Sequence, residues 1–281
     1  MIEPQISMPL TAIYCVFVFI LGLCIGSFAN VCIYRIPYAR SIVFPRSNCP
    51  RCGNMIAWFD NIPILSIILL RGRCRACGGT ISKRYFLVEL LTGLLFLAVF
   101  MRYGIDVRTI VFFIVITGLI IGTFVDFDHM IIPDQVTVGG IFAGLVLSAF
   151  LPSLHGAGTH FEGFRAAFIG MIAGGMSLWI VGELGRLAFK KEAMGMGDVK
   201  LLAAMGAFLG WQAVVFIIMV SSLTGAAAGV AMVITGNKSM SSKIPFGPYL
   251  ALSAVIWILG GCDWWAVYLQ WMASRPLAGA P

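Results

Sequence analysis

Residues 201–235 read LLAAMGAFLGWQAVVFIIMVSSLTGAAAGVAMVIT, a run of 35 residues without a charged side chain. As one α-helix this run would be about 52 Å long, whereas the hydrocarbon core of a bilayer is only about 30 Å thick. We therefore expect the chain to fold back near Gly210-Trp211-Gln212 and to cross the membrane twice. A tryptophan suits the interfacial position of such a turn.

The composition of the chain is that of a protein with several membrane spans. Of its 281 residues, 60% are hydrophobic and only 11% are charged, and the mean hydropathy is +0.96. Soluble domains do not have this composition. Nearly uncharged runs occupy 10–34, 85–101, 109–125, 135–151, 166–182, 201–235 and 244–262. Because 201–235 counts twice, we predict an all-α polytopic membrane protein with about eight transmembrane helices.

The distribution of basic residues predicts how the spans are oriented. The first run is too long for a signal peptide and lacks a basic leader, so we interpret it as a retained span. With the N-terminus outside, 15 of the 19 Lys and Arg residues face the cytoplasm, as the positive-inside rule requires. Those cytoplasmic segments are 35–84, 126–134, 183–200 and 236–243. The net charge of +7 therefore indicates topology and contact with lipid, and we expect no nucleic-acid partner.

Two cysteine pairs lie in the first cytoplasmic segment. They form Cys49-Pro50-Arg51-Cys52-Gly53 and Cys74-Arg75-Ala76-Cys77-Gly78. Each Cys-x-x-Cys brings two sulfurs to one ion, and four sulfurs complete the closed tetrahedral shell of a structural Zn²⁺ site. The alternative is a pair of disulfides, which a reducing compartment disfavours.

Two acidic clusters lie at the cytoplasmic ends of predicted spans. One is Gly195-Met196-Gly197-Asp198-Val199-Lys200, and the other is Asp126-Phe127-Asp128-His129, with Asp134 shortly after it. Acids at membrane helix ends are costly, and a pair of carboxylates is what hydrolysis by an acid and a base requires. The alternative is that Asp198 N-caps a helix beginning at Val199.

Other features of these segments leave alternatives open. Gly195 and Gly197 permit an unwound backbone and close approach of another chain, whereas Lys200 either favours an ionised carboxylate or only marks the cytoplasmic side. Periodicity favours Asp126 only moderately over Asp128. Pro245 and Gly247 belong to Ile244-Pro245-Phe246-Gly247-Pro248, which is either a helix start or an irregular segment lining a cavity.

At these residues the chain resembles the type 4 prepilin peptidase family of GxGD aspartyl proteases. The resemblance runs in order over most of the chain. Its matching segments are Gly26 to Pro37, the two cysteine pairs, Lys83-Arg84-Tyr85, Val88-Glu89, Asp126 to Asp134, Gly195 to Lys200 and Ile244 to Pro248. A small departure is Asp60, where the family usually has Glu.

The resemblance implies a bifunctional enzyme with two cofactors. Asp126 and Asp198 would be the catalytic pair, supported by Gly195, Gly197, Lys200, Pro245 and Gly247. The enzyme would remove the short basic leader of prepilins and pseudopilins after a glycine, and then methylate the new N-terminal residue with S-adenosylmethionine. Cys49, Cys52, Cys74 and Cys77 would hold zinc, and Gly72 would be associated with methylation.

The span layout, the distribution of basic residues and the resemblance together predict a cellular location and a division of the chain. We expect a bacterial inner-membrane protein with its active site towards the cytoplasm and both termini periplasmic. The predicted parts are a tail and first span at 1–34, a zinc-binding, methyltransferase-associated loop at 35–84, a peptidase core at 85–270 and a disordered tail at 271–281. No Gly-rich cofactor motif is visible, so the cysteine loop and neighbouring first-span residues are candidates for the S-adenosylmethionine site by analogy only.

Three alternative functions remain open from the residues alone. An ion-coupled transporter also places acids at broken helices, although nearer the midplane of the membrane. A non-catalytic, zinc-bearing scaffold of a secretion or pilus machine would need the cysteines but not Asp198. A methyltransferase without peptidase activity would separate the two reactions.

Overall fold

The computed structural model describes residues 8–190, 194–235 and 245–274, and over this part of the chain the fold is almost entirely helical. Its secondary structure outside the helices is limited to two isolated β-bridges, Asn48 with Met55 and Arg73 with Thr80. The helices are α1 Met8–Arg35, α2 Leu65–Leu69, α3 Lys83–Tyr103, α4 Val107–His129, α5 Asp134–Phe150, α6 His160–Phe189, α7 Met196–Leu209, α8 Trp211–Ile234, α9 Gly247–Ile256 and α10 Cys262–Ala273. Short 3₁₀ turns lie at Ile36–Tyr38, Trp58–Asn61 and Pro152–His155, and a π-helical turn at Trp257–Gly261 joins α9 to α10. The all-α membrane fold predicted from the sequence is confirmed.

Among the described residues, six helical segments rather than eight are long and apolar enough to cross a membrane. They are α1, α3, α4, α6, α8 and the continuous α9–α10 segment. The difference comes from α5 and α7, which have 17 and 14 residues and so rise only about 26 Å and 21 Å, less than the apolar thickness of a bilayer. The chain is a multi-pass membrane protein with two shorter helices.

The fold-back of the longest apolar run occurs where its length predicted it. Helix α7 ends at Leu209 and α8 begins at Trp211, with Gly210 between them. Gly210 has a φ of 82°, which is readily adopted only by glycine. The turn divides the run into one short buried helix and one full-length helix.

The chain divides into two compact units, Met1–Val125 and Asp126–Pro281. In the first unit, α1 and α3 pack closely through small residues. A Cβ atom on Gly22 would lie 2.8 Å from the Cα of Gly93, and one on Gly26 would lie 2.8 Å from the Cα of Glu89. Such contacts between glycine-bearing faces are typical of helix pairs in membranes.

The second unit is built around α7. The residues from Leu201 to Phe208 are all buried, although the helix has only 14 residues. Gly170 and Gly174 of α6 pack directly against the carbonyl groups of Gly206 and Leu202. This close packing fixes α7, and with it the acidic first turn that begins the helix. Helix α10 continues to Ala273, and of the tail expected to be disordered, 275–281 lies outside the described residues.

Candidate active site and metal centre

Asp126 lies near the end of α4 and is the buried acid of its cluster. Its residue is only 5% exposed, whereas Asp128 is exposed. The backbone N–H of Gly247, at the start of α9, donates a hydrogen bond of 3.1 Å to Oδ2 of Asp126. A Cβ atom at Gly247 would lie 2.8 Å from the same oxygen, so only glycine allows this approach. The contact fixes the orientation of the carboxyl group.

Asp198 lies inside the first turn of α7 and does not cap it. The helix begins at Met196, its N-cap is Gly195, and the N–H of Asp198 donates to the carbonyl of Gly195. The N-cap alternative for Asp198 is therefore wrong. Oδ1 of Asp198 is buried without a hydrogen-bond partner among the described residues. A buried carboxylate oxygen without a partner is costly for stability, which is an arrangement more typical of a functional site than of a structural core.

Asp126 and Asp198 line one cavity of about 240 Å³, which we call the acidic cavity. The two carboxyl groups interact electrostatically. Its other lining residues are Met130, Ile131, Ile132, Asp134, Gly195, Met196, Gly197 and Lys200. Gly197 packs against Ile132, at 3.2 Å for a Cβ built on the glycine, so this glycine serves close approach of the two acidic segments. Two acids separated by 72 positions thus meet at one opening.

Lys200 lines the acidic cavity, but it pairs with Asp134 and not with its sequence neighbour Asp198. Its Nζ donates a 2.7 Å hydrogen bond to Oδ1 of Asp134 at the start of α5. Both side chains are partly exposed, so the ion pair contributes at most about 1 kcal/mol. Pro245 lies two residues before Gly247 and is half-buried, in the non-helical entry to α9, whereas Ile244 lies outside the described residues.

The four cysteines of the cytoplasmic loop form one cluster. Their sulfurs all lie within 4.8 Å of one another, and Sγ of Cys49 is 3.9 Å from Sγ of Cys77. Sulfurs around a tetrahedral ion at a metal–sulfur distance of about 2.3 Å are about 3.8 Å apart, so the donor set fits a closed metal site. All eight cysteines of the chain are free thiols, which excludes the disulfide alternative in this structure.

The local backbone explains how each Cys-x-x-Cys offers both sulfurs. In each pair the N–H of the following glycine, Gly53 or Gly78, donates to the carbonyl of the first cysteine at 2.9 Å, and both glycines have positive φ. Hydrogen bonds from the backbone of Cys52 and Arg51 lower the pKa of Cys49 to about 6. A thiolate is the form that binds a metal ion. The cluster can therefore hold a metal ion.

Gly72 opens the turn that leads into the second cysteine pair. Its φ is 68°, its N–H donates to the carbonyl of Ile67, and its own carbonyl accepts from Ile81. Glycine is favoured at this position for a conformational reason, because a residue with a side chain would be strained at this φ.

Comparison with known proteins agrees with this combination of sites. Residues 20–103 match the bacterial peptidase A24 N-terminal domain, and residues 113–230 match the type IV leader peptidase family. A prepilin leader peptidase/N-methyltransferase of Aeromonas hydrophila is 39% identical, over 89% of this chain and 91% of that protein. The chain belongs to the type IV leader peptidase family.

Other relatives carry the same name. One from Pseudomonas aeruginosa is 36% identical over 96% of this chain and 97% of that protein. One from Myxococcus xanthus is 43% identical over 81% of this chain, and the alignment covers only 65% of that relative's length. No solved structure showed significant similarity to the chain. The resemblance to this family inferred from the motifs is confirmed.

Some contacts in this family member were not visible in the sequence. The backbone of Gly247 reaches Asp126 across 121 positions, and Lys200 reaches Asp134 across 66. Met130, Ile131 and Ile132 of the cavity wall were also missed. Their only signal was their position between Asp126 and Asp134, where Met130 directly follows α4 with a φ of 55°.

Proposed function

We propose that the protein is a membrane aspartyl endopeptidase that removes the basic leader of prepilins and pseudopilins, and an N-methyltransferase that acts on the new N-terminus. One observation supports the peptidase most directly: Asp126 and Asp198 line the same small cavity. The names of the relatives support both activities and neither a transporter nor a scaffold.

Hydrolysis follows from two carboxyl groups in different protonation states. One of Asp126 and Asp198 is ionised and takes a proton from water, while the other is protonated and donates to the scissile carbonyl. Two such groups share one proton because ionising both in a confined space is costly. The hydrogen bond from Gly247 keeps the carboxyl group of Asp126 directed for this task.

The position of the acidic cavity suits a substrate with a basic leader and an apolar helix. Lys200 neutralises Asp134. The ionised member of the pair Asp126 and Asp198 therefore leaves one net negative charge at the opening, which attracts a cationic leader. The apolar helix of the substrate would lie in the bilayer beside the spans. We place the protein in the bacterial inner membrane, with this cavity facing the cytoplasm and both termini in the periplasm.

The metal ion and the methyl donor belong to the second activity. Cys49, Cys52, Cys74 and Cys77 would hold Zn²⁺, which folds the loop and offers no open coordination position. S-adenosylmethionine, when bound, would supply the methyl group to the lone pair of the new terminal amine, with its sulfonium sulfur as the leaving group and one proton released from the amine to water.

The test is a reaction of the purified protein in lipid nanodiscs with one synthetic prepilin. Mass spectrometry of the products separates loss of the leader from a gain of one methyl group. We expect cleavage without S-adenosylmethionine, and cleavage with methylation when it is present. An intact substrate under both conditions would refute the peptidase assignment, and cleavage that is never followed by methylation would refute only the methyltransferase.

A further inference from the structure

A cavity of about 420 Å³ lies in the first unit beside the C-terminal half of α1. Cys24, Ser27, Phe28, Val31 and Arg35 form its floor, and these residues share one face of α1 because they recur every three or four positions. The opposite walls come from Ile42 to Ser47 and from Asn61 and Pro63. The volume falls within the range of about 300–1,000 Å³ typical of small-molecule sites. We call this cavity the α1 pocket.

A buried charge builds the first wall of the α1 pocket. Arg35 is only 8% exposed, and its guanidinium donates to the carbonyls of Ser41 at 2.9 Å and Pro45 at 2.8 Å. These bonds tie the loop after α1 back onto the helix that forms the floor. The carbonyl oxygens of Ser41 and Pro45 offset the energetic cost of burying the Arg35 guanidinium. The structural result is that Arg35 fixes the position of this wall.

A second buried charge builds the other wall. Glu89 of α3 is 5% exposed and accepts a 2.8 Å hydrogen bond from the N–H of Ile64. Ile64 has a φ of 60°, a strained conformation for a β-branched residue. Strain of this kind persists where surrounding contacts impose it and is concentrated at functional sites. Glu89 thus holds the segment with Asn61 and Pro63 against α1.

The cysteine cluster braces both walls. Ser47, just before Cys49, accepts a hydrogen bond from Ile56 in the first cysteine turn. On the other side, Arg75 of the second cysteine pair makes a two-point ion pair with Asp60, next to Asn61, at 2.8 and 2.7 Å. A metal ion in the cluster would therefore shape the α1 pocket without touching its contents.

We propose that the α1 pocket binds the methyl donor, S-adenosylmethionine, an inference that rests on the methyltransferase half of the proposed function. The pocket has the mixed chemistry of this ligand. Phe28 and Ile42 offer apolar surface to the adenine ring, Asn61 and Ser47 offer hydrogen bonds to the ribose hydroxyls, and Arg46 offers a cation to the carboxylate. Arg35 and Glu89 are positioning residues that hold the two walls.

Direct binding tests this site without relying on turnover. Full-length protein in nanodiscs is titrated with tritiated S-adenosylmethionine and the bound fraction is measured by equilibrium dialysis. We expect Arg46→Ala, which removes the partner of the carboxylate, and Val31→Trp, which fills the floor, each to weaken binding at least about tenfold. Arg40→Ala and Leu21→Trp make the same changes outside the pocket lining and should bind as the wild type does.

The outcomes separate the site from the function. If the wild type binds and Arg46→Ala and Val31→Trp bind equally well, the α1 pocket is not the site and the methyltransferase proposal stands. If the wild type does not bind S-adenosylmethionine, both proposals fail. Cleavage of the prepilin by each variant shows that a loss of binding is not a loss of folding.

The role of Glu89 has its own test. Glu89→Gln keeps an oxygen that can accept from the N–H of Ile64, whereas Glu89→Ala removes it. We expect affinity for S-adenosylmethionine to fall about tenfold in Glu89→Ala and to recover to within a few-fold of wild type in Glu89→Gln. Equal affinity of Glu89→Ala and wild type would show that the wall does not depend on this carboxylate.

Discussion

Asp126 and Asp128 stand two residues apart at one helix end, yet only Asp126 is buried and lines the acidic cavity. We predict that Asp126→Asn and Asp198→Asn each lower kcat/KM for prepilin cleavage about 10³-fold, because an amide neither takes a proton from water nor donates one as an acid does. Initial rates measured by mass spectrometry give the comparison. Asp128→Asn is the matched control and should cleave at nearly the wild-type rate. A dyad variant that keeps a tenth of wild-type activity would contradict the assignment.

The second prediction at the scale of one residue concerns Gly247, whose N–H donates to Asp126. In Gly247→Ala the new methyl group would lie 2.8 Å from Oδ2 of Asp126 and displace that carboxyl group. Because misplacing a catalytic group by about 1 Å costs on the order of 100-fold, we expect kcat to fall by that factor while the protein stays folded. Gly139→Ala is the control, since nothing lies within 4 Å of a Cβ there. Wild-type kcat in Gly247→Ala would show that this approach does not orient Asp126.

At the scale of elements, α7 depends on contact between backbones. A Cβ on Gly206 would overlap the carbonyl of Gly170 in α6, whereas one on Gly175 would meet Ala203 at an ordinary 3.5 Å. We expect Gly206→Ala to destabilise the protein by about 1–3 kcal/mol through overpacking. Thermal unfolding in nanodiscs should show a lower Tm for Gly206→Ala, with a smaller change for Gly175→Ala. Equal Tm values for the two variants would refute tight α6–α7 packing.

The same elements show what sequence can and cannot predict. The fold-back at Gly210 followed from length alone, because 35 apolar residues exceed one bilayer crossing. An apolar pattern indicates that a helix avoids water, but it does not distinguish a helix in contact with lipid from one packed inside the protein. For this reason α5 and α7 were counted as full spans although they are short. The motifs predicted Asp126 and Asp198 as a pair, and both line one cavity. The contacts of Gly247 with Asp126 and of Lys200 with Asp134 depend on packing between distant segments, which no local pattern encodes.

At the scale of the whole molecule, each of the two units contains the residues of one proposed activity. The acidic cavity is built entirely from residues after Val125, whereas the cysteine cluster and the α1 pocket are built entirely from residues before Asp126. The cysteine cluster and the acidic cavity therefore have no residue in common. Removing the metal ion should affect the two reactions differently.

We predict that Cys74→Ser loses the metal ion and the capacity to methylate while cleavage stays within about threefold of wild type. A closed site of four thiolates stabilises its own loop, so losing one ligand releases the walls of the α1 pocket but leaves Asp126 and Asp198 in place. Metal content by plasma mass spectrometry should fall from one ion per chain to none, and the prepilin should be recovered cleaved and unmethylated. Cys15→Ser, a change outside the cluster, should keep the metal and both reactions. If cleavage and methylation fall together in Cys74→Ser, the metal supports the whole enzyme and the division between the units is wrong.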